Sequence, residues 1–120
     1  LRQNGERLWL DWQLVRKGMP WRDVSYLMVG ALTIEERRSA ERDLLRHYRQ
    51  CLIGTGAVDV PFEDRMWEEY RLWPVYGMQA WLATLDSFGQ VGLPVVERFF
   101  TAGEDLETLT LLEKQLEKIA

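Results

Sequence analysis

The sequence predicts a mainly α-helical unit entered through an N-terminal β-hairpin. Three observations carry that expectation. Residues 1–13 read as a β-hairpin around Asn4-Gly5, a pair that readily takes the positive φ a two-residue turn demands, with the apolar run Leu8-Trp9-Leu10 in its second strand. From Val24 to Ile119 apolar residues recur instead at helical spacing, three and four apart. Within the helical stretch stand helix-boundary residues, among them Thr33, Gly54, Pro74 and Pro94.

The length of 120 residues, 47% of them hydrophobic, suits one globular unit. It divides into the hairpin over 1–13 and a helical subdomain over 14–120. The chain opens on Leu1 in what reads as mid-sheet, as expected of one lobe of something larger. Nineteen acids against 15 bases give a net charge of -4, and the signs are interspersed, as in Glu35-Glu36-Arg37-Arg38. That pattern argues against nucleic-acid tracking. One cysteine, Cys51, excludes an internal disulfide, and one histidine, His47, cannot complete a zinc site with it. No apolar run reaches the roughly 18 residues a bilayer span requires, so no membrane is expected as a partner and the reading is a cytoplasmic protein.

In the hairpin, Leu8, Leu10 and Trp12 share one face, and Arg7, Trp9 and Asp11 share the other. Loop residues Arg16 to Pro20 lead to Asp23, the expected N-cap of a helix whose apolar face is Val24, Leu27, Met28 and Ala31. Thr33 and Glu36 form a capping box for a second helix, with Ala40, Leu44, Leu45, Tyr48, Cys51 and Leu52 inside and Gly54 as its C′ residue. His47 falls off that stripe, on the solvated side. Asp59 or Pro61 should open an aromatic length running through Trp67, Tyr70, Trp73 and Trp81 to about Asp86, kinked or split by Pro74 near Leu72. Gly92-Leu93-Pro94 restarts a short helix. Asp105 is then expected to cap a last one, burying Leu106, Leu109, Leu112, Leu116 and Ile119.

Several chemistries lack their residues. There is no Gly-x-Ser-x-Gly elbow, no Cys-His pair of catalytic spacing and no dinucleotide fingerprint, and Gly54-Thr55-Gly56 follows a helix rather than a strand. What remains is Asp11 at the mouth of Leu8-Trp9-Leu10, where strand interiors disfavour an acid. Such a carboxylate either ends the strand or holds a hard cation such as Mg²⁺, which binds one or two carboxylates together with water and phosphate oxygens.

The ordered set Leu8-Trp9-Leu10-Asp11-Trp12-Gln13, Gly18 to Pro20, Asp23-Val24-Ser25-Tyr26-Leu27, Leu44 to Tyr48 and Glu69-Tyr70-Arg71 resembles the aminoglycoside phosphotransferase and choline kinase-like family, including its ecdysteroid kinase-like branch. The likeness covers residues 1 to about 71. It implies the C-terminal helical lobe of a protein kinase-like α+β fold, an ATP-dependent phosphotransferase acting on a small-molecule hydroxyl, with ATP and Mg²⁺ as cofactors. Asp11 then matches the metal ligand and Asp23 the residue that braces the catalytic loop. The family's His-Gly-Asp loop with its following Asn, and the nucleotide-binding lobe, would lie ahead of Leu1. This chain alone is therefore expected to be inactive, with the N-terminal lobe of the same protein as its partner.

Acceptor pockets in such enzymes are lined by this lobe, which makes Gln13, Glu68, Glu69, Trp73, Tyr76 and Trp81 the substrate candidates. Acids beside aromatics suit a cationic or sugar-like molecule. The same residues would serve equally as a solvated edge and a core. A non-catalytic kinase-like or helical interaction module, in which Asp11 only ends a strand, is the alternative.

Overall fold

The computed structural model describes Gly5 and residues 17–119, and every regular element among them is helical. Six α-helices follow in order: α1 (Trp21–Ala31), α2 (Ile34–Gly54), α3 (Glu63–Leu72), α4 (Pro74–Phe88), α5 (Leu93–Asp105) and α6 (Thr108–Ile119). A 3₁₀ turn at Gly89–Val91 joins α4 to α5. The expected hairpin, and with it Asp11 and Gln13, lies outside the described residues, of which Gly5, with φ 80°, is the single one in that stretch.

The helix boundaries follow from local chemistry. Pro20, not Asp23, precedes α1, and its carbonyl accepts the amides of Asp23 at 3.1 Å and Val24 at 3.0 Å. Proline's fixed φ, here -71°, already suits the helix, so Asp23 is carried into the first turn, where the macrodipole favours an acid. Thr33 and Glu36 form the expected capping box on α2, with bonds of 3.2 and 2.9 Å. The C′ residue is Gly56 rather than Gly54. Its φ is 80°, and the Gly56 and Ala57 amides reach the carbonyls of Ile53 and Leu52, a Schellman closure.

Asp59 takes φ 56°, which no helix admits, so α3 begins at Glu63, later than Asp59 or Pro61 would place it. Pro74 splits the aromatic length as its missing N–H requires. Trp73 ends α3 and starts α4 at once, and Pro74 occupies the first position of the new helix.

Phe99 of α5 lies at the centre of the core, fully buried among Met28, Val29, Leu45, Tyr70, Ala102 and Leu106. Gly77 lets α4 close on it. A methyl group there would overlap the Phe99 ring. Tyr26 covers the other side at a centroid distance of 5.3 Å.

Charges sit inside α2 where apolar residues were expected. Its buried positions are Arg37, Glu41 and Leu45, whereas Leu44 and Cys51 are exposed. Arg37 donates to Glu41 Oε2 at 2.8 Å and to Asp105, and the Tyr70 hydroxyl donates to the same Glu41 oxygen at 3.1 Å. A guanidinium that finds two carboxylates keeps its hydrogen bonds on burial, which is the condition for hiding such charges. Burial, reinforced by the Glu41 carboxylate, pushes the Tyr70 phenol far above its usual range and keeps it a donor.

Asp105 is likewise not a cap for α6. It ends α5, where a carboxylate opposes the macrodipole, and Arg38 offsets this with bonds of 2.7 and 2.9 Å alongside Arg37. Leu106 is buried beyond the end of α5, but Leu109, Leu116 and Ile119 of α6 are exposed. Leu111 and Leu112 are half-buried, and Thr108 at the start of α6 is fully buried, its hydroxyl donating to the Arg71 carbonyl at 2.7 Å. In α1 the inward residues are Trp21, Ser25, Met28 and Val29, and Leu27 is 61% exposed. An interior Ser25 shifts the buried face away from the apolar stripe.

Candidate functional site

Gly18, Met19 and Pro20 bring the chain to the first turn of α1, and the Trp73-Pro74 break brings the start of α4 to the same place. Between them lies a cleft of about 470 Å³ lined by Gly18, Met19, Pro20, Arg22, Asp23, Trp73 and Tyr76. Three of the candidate residues, Asp23, Trp73 and Tyr76, therefore share one wall-to-wall space.

The polar groups of the cleft are ordered by one another. Arg22 donates from Nε to Asp23 Oδ1 at 2.9 Å, and its guanidinium lies 5.1 Å from the Tyr76 ring centroid, so one side chain spans α1 and α4. The Asp23 side chain is 74% exposed, and Arg22 is its one hydrogen-bond partner among the described residues. Tyr76 also packs against Tyr26 at 5.8 Å, which fixes the ring from the core side. Trp73 forms part of the cleft wall. Its indole Nε1 is shut off from solvent and has no hydrogen-bond partner among the described residues.

The other candidates lie elsewhere. Glu68 is on the solvent side of α3, and Glu69 pairs with Arg65 one turn earlier. Trp81 packs against the core and meets Phe88 at 5.2 Å. Asp11 is outside the described residues. As a carboxylate it is the hard oxygen donor that Mg²⁺ takes. Among the described residues no group of three or more His, Cys, Asp or Glu is placed to hold a metal. No helix among them is long and apolar enough to cross a membrane.

Sequence reasoning missed Arg22. A cation next to an acid reads as a solvated pair, and the only signal was an aromatic-rich helix elsewhere in the chain on which it could rest. His47 is exposed as expected, with Cys51 Sγ 3.5 Å from its Nε2.

The family model DUF1679, described as "Uncharacterized oxidoreductase dhs-27", matches residues 6–98. No curated protein and no solved structure matches the chain.

Proposed function

The chain belongs to the DUF1679 family, and from that premise we propose that it is the C-terminal helical lobe of an ATP-dependent phosphotransferase acting on a small-molecule hydroxyl. The observation that carries the reading is the placement of Asp23. Its carboxylate stands open at the cleft, held on one side by Arg22, as a residue must be if it is to brace a catalytic loop arriving from upstream. The ordered resemblance running from Leu8 through Arg71 supports the same assignment.

In this reading Asp11 would hold Mg²⁺, which neutralises charge on the ATP phosphates when bound. Asp23 accepts backbone amides of the catalytic loop and fixes where that loop stands. Phosphoryl transfer depends on such placement more than on covalent chemistry, so a lobe with one metal ligand and one brace contributes geometry and leaves the proton acceptor to the upstream loop.

The family description names an oxidoreductase. Hydride transfer with a dinucleotide uses a glycine-rich turn between a strand and a helix, and in this chain Gly54-Thr55-Gly56 closes a Schellman turn after α2. A second reading, a helical interaction module without catalysis, is favoured by the exposed Leu109, Leu116 and Ile119 on α6.

Asp11→Ala in the protein that carries the upstream loop separates them. Loss of ADP release in Mg²⁺-ATP, with the fold kept by circular dichroism, is expected of the enzyme. Unchanged release would leave the interaction module standing.

A further inference from the structure

We propose that His47 and Cys51 bind a zinc-class divalent ion on the outer face of α2. They stand four residues apart on the helix, so both side chains leave the same face one turn apart. Each is exposed, and among the described residues each side chain is the other's one hydrogen-bonding partner.

The separation of the donor atoms carries the inference. Zinc bonds to thiolate sulfur at about 2.3 Å and to imidazole nitrogen at about 2.0–2.1 Å, and a tetrahedral angle of roughly 109° between those bonds spaces sulfur and nitrogen about 3.5–3.6 Å apart. Cys51 Sγ lies 3.5 Å from His47 Nε2. The two donors thus already stand one zinc bite apart. With its proton on Nδ1 the imidazole offers the Nε2 lone pair, and the thiol releases its proton to solvent as the sulfur–metal bond forms.

The support under the pair is fixed in advance. The 21 residues of α2 are closed at one end by the Thr33–Glu36 capping box and at the other by Gly56, and the Cys51 carbonyl accepts the Thr55 amide at 3.0 Å. Donors held on such a helix avoid the ordering cost that a pair on a loop would meet.

The chemistry of the donors selects the ion. Thiolate with imidazole suits Zn²⁺, whereas Mg²⁺ takes oxygen ligands and does not compete for this pair. Asp43, one turn before His47, is held by Arg46 at 2.6 Å, and no cluster of three or more His, Cys, Asp or Glu is placed to hold a metal among the described residues. The chain therefore supplies two ligands, and water fills the other two positions of the tetrahedron.

A thiol–imidazole hydrogen bond would suit the same 3.5 Å, so the test reads the metal itself. Co²⁺ serves as the visible probe, titrated into the full-length protein kept reduced by a phosphine. Thiolate-to-cobalt charge-transfer absorption with the intense visible bands of a tetrahedral ion is expected, saturating at one ion per chain and lost on adding Zn²⁺ but not Mg²⁺. Cys51→Ser should remove that absorption, and His47→Gln should weaken Co²⁺ affinity at least about tenfold, the scale on which even outer-shell partners act. Both positions are exposed, and circular dichroism checks that the helices are kept. Zn²⁺ should also raise the urea midpoint of the unsubstituted protein and leave that of Cys51→Ser unmoved, because an ion bound to folded α2 stabilises it. Absence of the cobalt–thiolate absorption, or equal affinity in His47→Gln, overturns the inference and leaves the pair a hydrogen bond. Saturation at one ion per two chains also overturns it, since the ion would then be shared between copies.

Discussion

Replacing Gly77 by alanine should destabilise the chain even though alanine is the better helix former. In an open helical position the exchange gains up to about 1 kcal/mol. At Gly77 the new methyl is driven into the ring of Phe99, which is fully buried, with Tyr26 5.3 Å away on another side. The ring has no empty space to enter, so overpacking of about 1–3 kcal/mol opposes the propensity gain. Against the full propensity gain the net expectation is a loss of up to about 2 kcal/mol, which at a urea slope of about 1.5 kcal/mol/M lowers the midpoint by up to roughly 1.3 M. Gly54 provides the internal control, because a Cβ there meets nothing within 4 Å. Gly54→Ala should hold or raise the midpoint. Adding Phe99→Leu to Gly77→Ala should recover part of the loss, as residues in contact couple. A midpoint for Gly77→Ala at or above that of the unsubstituted chain would refute the packing argument.

Removing Arg37 by Arg37→Met strands the buried Glu41 beside Tyr70 and should cost about 3–5 kcal/mol in the same urea assay, far more than an exposed pair such as Arg46 with Asp43. Hydrogen bonds from Arg38 and Arg37 hold the Asp105 carboxyl below its ordinary value. Its stabilising contribution is therefore complete above the unfolded pKa, near pH 4, and fades as pH falls through the lowered folded value. Stability profiles of the unsubstituted chain and Asp105→Asn should converge on acidification, and parallel profiles would exclude the link. Thr33→Ala should cost about 1 kcal/mol through the lost capping box, whereas Asp23→Ala, which removes a first-turn charge and its exposed bond to Arg22, should cost about 0.3–1 kcal/mol, as thermal or urea unfolding will show.

Punctuation was the most legible part of the sequence. Thr33 with Glu36, and Pro74 within the aromatic length, act through the backbone of their own neighbourhood, so their effects appear in local sequence as they do in the fold. Inward faces were harder to read wherever polarity and burial part company. Arg37 and Glu41 score as surface residues until Tyr70 and Asp105, far along the chain, are seen to satisfy them. Ser25 misled in the same way for α1, and Gly54 drew attention from Gly56 because two glycines so close together are equivalent until φ is known. The cleft combines residues 18–23 with 73 and 76, a pairing that periodicity does not encode.

The cleft and the core draw on different parts of the helices. Met28, Val29, Tyr70 and Phe99 sit within helices, where each is hemmed in by neighbours. Pro20, Arg22, Asp23, Trp73 and Tyr76 sit at helix starts or at the break between two of them. Substitution at such margins changes what the cleft presents while the interior packing is left as it is. An exchange at an exposed margin position such as Met19 therefore alters the cleft on an unaltered scaffold, whereas one at Phe99 disturbs the packing itself.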